Sequence, residues 1–232
     1  MKGYGPVNAM EFPRFSGIRT FMRLPHVHDL VGVDFAVIGA PFDTGATYRV
    51  GARFGPVALI QFDSHGDVWH GYFGGKDTHG TPFRQAAEEG LLDLTRSSQV
   101  GLRGPVYDAA DIQLSRALGF QVFTASEVRE AGLDGVIAAV KARAGNGPCF
   151  LTFDIDFVDP AYAPATGTPE VGGFTSWECQ YLLRGLTGIH FVAFDLVEVS
   201  PPYDNAGETT ALLAANLVYE FITLLALARA GA

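Results

Sequence analysis

The sequence predicts an α/β fold in three layers, α/β/α, built around a mostly parallel sheet. Three observations carry this. Apolar runs of strand length, Val57-Ala58-Leu59-Ile60-Gln61 and Cys149-Phe150-Leu151-Thr152-Phe153, read as strands buried on both faces. Segments with helical periodicity alternate with such runs along the chain. Both named runs end in spaced carboxylates, and open α/β sheets hold their ligands at the carboxyl ends of their strands.

Residues 1–31, rich in Gly, Pro and charge, read as an extended N-terminal arm, and His26 and His28 within it as solvated. Val33 to Gly39 is the first buried strand, followed from Pro41 to Pro56 by a loop with Gly45, Gly51 and Gly55. Val57 then opens the next strand at once. Two parallel strands need a crossover, usually a helix, yet residues 40–56 have no helical periodicity. Trp69 to Thr78 is a loop rich in Gly and aromatic residues, Gln85 to Gly90 a short helix, and Ser98 to Leu102 a strand. Tyr107 to Leu118 reads as an amphipathic helix and Phe120 to Thr124 as a strand. Thr124 and Glu127 form a capping-box pattern for the next helix, which is periodic from Leu133 to Ala144 and ends at Gly145-Asn146-Gly147-Pro148. After the strand leading to Asp154, Thr175 and Glu178 repeat the capping box and open a helix to about Arg184. Ile189 to Val197 is the last strand and Thr209 to Ala230 the closing helix.

At 232 residues and 48% hydrophobic, the chain can bury a full core, and a single domain over residues 1–232 is the natural reading. Lys plus Arg number 16 against 25 Asp plus Glu, a net charge of −9, which argues against a nucleic-acid partner. Cys149 lies in a core strand and Cys179 in a helix, a usage that fits a reducing, cytoplasmic compartment without a disulfide framework. The N-terminus lacks the apolar core of a secretion signal. Asn216 and Glu220 interrupt the apolar C-terminal stretch, which reads as a buried helix and not a membrane span.

The chemistry lies in two short motifs. Asp63, His65 and Asp67 stand at alternate positions, so a strand continuing through them would present all three on one face. Asp154 and Asp156 repeat the pattern. A lone D-x-D is more often a polar strand end than a ligand pair; two matching motifs on two matching strands reverse that balance. Four carboxylates cannot sit together without a cation, because repulsion and desolvation would protonate some of them. Oxygen ligands with one imidazole point to Mn²⁺ or a similar ion rather than thiolate-bound zinc, and this much carboxylate can bridge two ions.

Asp63-Ser64-His65-Gly66-Asp67 and Thr152-Phe153-Asp154-Ile155-Asp156-Phe157-Val158-Asp159-Pro160 resemble the metal motifs of the ureohydrolases, the arginase and agmatinase family. The loop from Ala163 to Gly173 and the segment from Pro41 to Pro56 are similar to that family too, and Arg19 to Pro25 points toward its agmatinase branch. The similarity runs from about Phe15 to Leu225. It implies an arginase-like sheet and two Mn²⁺ per subunit, with Asp63 and Asp154 bridging both, His65 and Asp156 holding one and Asp67 the other. Two such ions lower the pKa of a water held between them. The implied reaction is hydrolysis of a guanidino compound with release of urea, most simply agmatine to putrescine. Guanidinobutyrate and related acid-tailed substrates are the alternative, and no motif decides the tail. Glu198 then accepts paired hydrogen bonds from the guanidinium, and His79 shuttles protons, although a loop histidine taken alone is more often inert. Asp159 and Glu170 are read as supporting residues, and His70 and His190 get no role. A trimer or hexamer is implied as well.

Family members carry several strands and helices, with a G-G-D-H motif whose His is a metal ligand, where this chain passes from Pro56 to Val57. No His lies between His28 and His65. The chain therefore resembles a ureohydrolase with an internal segment missing, its sheet incomplete, and one Mn²⁺ held more firmly than the other. A non-catalytic or truncated member is the reading that this gap favours. A single-zinc deacetylase of related fold is disfavoured by Asp67 and the complete D-x-D. Ala165 stands where the family has Gly, which predicts strain at a position of positive φ.

Overall fold

The structure, a computed structural model, describes residues 56–72, 75–104 and 110–230. The N-terminal arm 1–31, the strand Val33 to Gly39, the Arg19 to Pro25 segment and the loop through residue 55 lie outside the described residues. The elements are β1 Ala58–Phe62, α1 Pro82–Glu88, β2 Ser98–Leu102, α2 Asp111–Leu118, β3 Gln121–Thr124, α3 Ala125–Ala144, β4 Cys149–Asp154, α4 Ser176–Gly185, β5 Phe191–Val197 and α5 Thr209–Ala230.

The five strands form one sheet in the order β3-β2-β1-β4-β5, with every pairing parallel. From β1 at the centre of the described sheet the chain steps outward through β2 to β3, then returns to lay β4 on the other side of β1. Connections leaving β1 and β4 thus depart in opposite directions, and a crevice opens above the carboxyl ends of these two strands. Asp63 follows β1 directly and Asp154 closes β4, so both motifs arrive at that crevice.

Alternate residues of β1 enter two separate cores. Ala58, Ile60 and Phe62 pack with Val136 and Val140 of α3, Leu182 and Leu183 of α4, and Leu217 and Phe221 of α5. Leu59 faces the other way, with Phe83 of α1 and Ile112, Leu114 and Leu118 of α2 beside its cluster. Period-two alternation with apolar residues on both sides is what a parallel strand covered by two helical layers requires. Along β5, by contrast, only Phe191 is buried and the other residues are half-buried.

Several elements differ from the sequence reading. Helix α1 starts at Pro82 and not at Gln85, because Pro tolerates the first helical turn, where its missing N–H has no partner to lose. The Thr124 capping box forms as read, and α3 runs from Ala125, but Gly132 at φ 71°, ψ 158° breaks the helix. That break shifts the apolar stripe, so only the second half shows in the periodicity. Helix α5 is long and apolar enough to cross a membrane. It nevertheless packs Leu213, Leu217, Phe221 and Leu224 into the core, and Glu220 accepts from Arg184 Nη2 at 2.6 Å and Nε at 3.0 Å. Ala165 is not strained: the positive-φ residues other than glycine are Asp67, Glu198 and Glu208 among those described. Its N–H donates to Thr210 Oγ1 at 3.1 Å and its carbonyl accepts from Ser200 N–H at 2.9 Å.

Candidate metal centre

Strand β1 does not continue through Asp63, His65 and Asp67, as alternation suggested; it ends at Phe62. The chain turns instead. Asp63 Oδ1 accepts from the backbone N–H of His65 at 2.6 Å. At β4 the same device recurs: Asp154 Oδ1 accepts from the N–H of Asp156 at 2.9 Å and caps a 3₁₀ turn over Ile155–Phe157. A carboxylate accepting from the amide two residues on is an Asx turn. The two-residue spacing of both motifs therefore reflects turn closure, not the pleat of a strand.

Asp156 joins the two turns. Its Oδ1 accepts from Ser64 N–H at 3.1 Å and Ser64 Oγ at 2.8 Å, while Oδ2 lies 2.9 Å from His65 Nδ1 and accepts from Thr168 Oγ1 at 3.2 Å. Asp63, His65 and Asp156 consequently offer ligand atoms all within 4.8 Å of one another. Asp67, Asp154, His79 and Glu198 line the same cavity, about 110 Å³, with Trp69, Tyr72, Thr168 and Glu170. Of the residues singled out in the sequence, the cavity thus collects every candidate ligand and both candidate catalytic groups except Asp63, which is buried, 2% exposed. The His79 ring stands edge-on to Tyr72, 5.5 Å between centroids. His70 and His190 are exposed and outside it.

The charges here are unbalanced without a cation. Burial, then the nearby charge of Asp156, pushes Asp63 up to about 7. Burial and the neighbouring carboxylates also raise Asp67 and Asp154 well above the usual range. Burial opposes charge on Asp156 too, but its hydrogen bond from His65 outweighs that and holds it low. Burial likewise opposes a charged His65, yet the hydrogen bonds to Asp156 and Asp63 drive it up to about 11. The cluster thus holds protons where it lacks a cation; a divalent ion would displace them, since only the neutral imidazole of His65 can ligate. Asp63, His65 and Asp156, two carboxylates and an imidazole, are a donor set that fits a divalent ion, and Asp154 and Asp67 add carboxylates to the cavity beside them.

Sequence reasoning missed the residues that hold these loops. Arg103 Nη2 donates to the carbonyls of Asp156 at 2.7 Å and Glu170 at 2.8 Å, tying the second turn to the 163–173 loop. Asp159 Oδ2 accepts from the N–H groups of Gly172 and Gly173 at 2.8 and 3.0 Å, the supporting role expected of it. Glu170 Oε1 lies 3.8 Å from His65 Nε2. Gln61 and Gln99, buried in the middle of β1 and β2, were detectable only as polar residues in otherwise apolar runs.

A model of the arginase family matches residues 56–223. The guanidinopropionase of Pseudomonas aeruginosa is 35% identical over 305 residues, covering 95% of this chain and 96% of that protein. The mitochondrial agmatinase of Gallus gallus is 43% identical over 176 residues, 76% of this chain and 52% of that one. Among solved structures, the proclavaminate amidino hydrolase from Streptomyces clavuligerus matches with a TM-score of 0.71 at 39% identity, over 75% of this chain and 57% of its own. The chain therefore spans little more than half the length of that structure.

Proposed function

This chain belongs to the arginase family, and from that premise we propose that it is a manganese-dependent hydrolase of a guanidino compound, converting agmatine and water to putrescine and urea. The observation that carries this is the buried Asp63–His65–Asp156 cluster opening into one cavity with Asp154, Asp67 and Glu198. Asp63 and Asp154 would be shared by two ions, His65 and Asp156 would complete one site, and Asp67 would serve the other. Bound there, such ions polarise the substrate and acidify water. Glu198, exposed on the cavity wall, offers a planar carboxylate to a planar guanidinium, a match that two parallel N–H bonds exploit. His79, on the cavity lining, would give a proton to the departing amine as the carbon–nitrogen bond breaks, once water has added to the guanidino carbon. Trp69 and Tyr72 add aromatic faces to the cavity lining.

An amine tail is favoured because no Lys or Arg is among the described residues lining the cavity, whereas Asp67, Glu170 and Glu198 are. An acid tail is the second reading, favoured by the guanidinopropionase and guanidinobutyrase of Pseudomonas aeruginosa, each aligned over 95% of this chain. Urea release from agmatine, guanidinobutyrate, guanidinopropionate and arginine, compared at equal concentration, tests the assignment. Agmatine should lead; preference for an acid-tailed substrate would shift it to the second reading, and arginine leading would overturn both.

The reading includes a missing internal segment at the junction of Pro56 and Val57, which leaves a non-catalytic member as the other outcome for this chain. It is supported by an alignment over 305 residues for a chain of 232, and by the half-buried β5. Asp195 on β5 supports it too, since burial raises its carboxyl and the neighbouring Thr152 hydroxyl offsets only part of that. The free, buried Cys149 and Cys179 support a reducing cytoplasm. Assembly with copies of itself, as trimer or hexamer, completes the proposal.

A further inference from the structure

We propose that Gln61 and Gln99 form a buried amide relay that fixes the orientation of Asp63 and suspends the metal loop from the sheet; the inference rests on the metal reading above. Both side chains are fully buried, 0% exposed, and they stand opposite one another on adjacent parallel strands. Gln99 Nε2 donates to Gln61 Oε1 at 2.5 Å and to the carbonyl of Gly66 at 2.7 Å. Gln61 Nε2 in turn donates to Asp63 Oδ2 at 2.7 Å and reaches the carbonyl of His65 at 3.3 Å.

The direction of this relay is not free. One end is the Gly66 carbonyl and the other the Asp63 carboxylate, ionised when it holds a cation, and both then can only accept. Turning the Gln99 amide over would set its oxygen against the Gly66 carbonyl. Turning Gln61 over would set its oxygen against Asp63. With both ends fixed, each amide has one tolerable orientation, so Gln99 sets Gln61 and Gln61 sets Asp63. Gln61 therefore occupies one lone pair on Oδ2, while the His65 N–H occupies one on Oδ1. Each oxygen keeps a further lone pair directed elsewhere, which is what a carboxylate shared between two cations needs.

The fold itself gains little from these amides. An apolar side chain would pack at either position without the cost of burying an amide, and Gln99 Oε1 has no partner among the described residues. What the pair does satisfy are the carbonyls of His65 and Gly66 and the carboxylate of Asp63, three consecutive demands of one loop. These are positioning residues, acting on the ligand and not on substrate.

The test uses the full chain and two readouts, Mn²⁺ affinity by titration calorimetry and the thermal midpoint of the metal-free protein. Gln61→Met and Gln99→Met should each weaken Mn²⁺ binding roughly 10–100-fold, as loss of such supporting partners does. Gln99→Met should do so without touching a ligand, with the metal-free midpoint near that of the parent. Thr152→Val, buried beside Gln61 on β4 with no bond to Asp63, should leave affinity unchanged. If the Met variants do not fold, Gln61→Glu keeps the shape and replaces the donor by oxygen, and it should bind Mn²⁺ more weakly still. Parent-like affinity in the folded Gln variants, or an equal loss in Thr152→Val, overturns the relay alone. Absence of Mn²⁺ uptake by the parent overturns the metal reading and the relay with it.

Discussion

Asp67 and Glu198 adopt φ values of 52° and 62°, a backbone region that costs a non-glycine residue energy and that tends to persist where function over-determines it. That two site residues of the cavity share this feature could not be read from the sequence, which carries residue types but no dihedral angles. What was legible at this scale was chemical: carboxylates and one imidazole at matched spacing, and Glu198 after a strand. For Glu198, exchange to Gln should weaken agmatine binding while Mn²⁺ content stays constant, since the neutral amide loses the charge-assisted pair of bonds that a carboxylate offers a guanidinium. Metal loss in that variant would mark Glu198 as a ligand. Asp195 gives a stability test. Burial pushes it up to about 6 from an ordinary 3.8, with the neighbouring Thr152 hydroxyl offsetting only part. A carboxyl raised in the fold stays protonated there while the unfolded chain ionises, so it costs nothing below both values. The cost grows between about pH 4 and 6 and is constant above, at roughly 2–3 kcal/mol. Asp195→Asn should therefore stabilise the chain at pH 7.5 and not at pH 3.5. Urea denaturation at both pH values checks this; an equal change at the two would refute it.

At the scale of elements, the strands after Pro56 and both capping boxes were legible because they depend on local pattern. Thr124 and Thr175 each accept from the N–H of the glutamate three residues on, at 3.2 Å in both helices, as the pattern demands. Thr175→Ala should cost about 1 kcal/mol of stability, read as a lower urea midpoint without change in Mn²⁺ binding. The end of β1 was not legible. Period two and an Asx turn both place like residues two apart, and only the hydrogen bonds from the amides of His65 and Asp156 distinguish them. Gly101 shows how tightly these turns are backed. It sits at φ 103°, and a Cβ there would lie 2.4 Å from the Phe157 ring and 2.9 Å from the Asp63 carbonyl. The Phe157 ring is itself held by stacking on Phe174, 4.3 Å between centroids, so it cannot yield cheaply. Gly101→Ala should lower stability by more than about 2 kcal/mol and impair Mn²⁺ binding together, because strain and overpacking both fall under the metal turns. A stable variant with parent-like affinity would show that the turns can shift as a unit.

For the whole molecule, alternation of strands and helices gave the parallel α/β class, but strand order needed the structure, since a sequence does not say that β4 returns to the flank of β1. That return creates the switch point where both metal turns meet. On the proposed assignment the two ion sites would be unequal: one would have Asp63, Asp154, His65 and Asp156, the other Asp63, Asp154 and Asp67, with no nitrogen ligand assigned to it. Loss of a direct nitrogen ligand should weaken the second site by more than the roughly 10–100-fold that a supporting partner is worth. We therefore expect one Mn²⁺ per chain to survive gel filtration, with slow or absent urea release. Apolar residues of β5, half-buried here, should make the chain prone to aggregate. On the proposed reading of a segment missing between Pro56 and Val57, a chain with that segment restored should bind a second ion, run as a defined oligomer and release urea. Metal analysis and a urea assay on the same gel-filtration fraction decide the matter. Two firmly held ions and brisk turnover by the chain as it stands would mean that another side chain, His79 in the cavity being the first to mutate, supplies the nitrogen ligand.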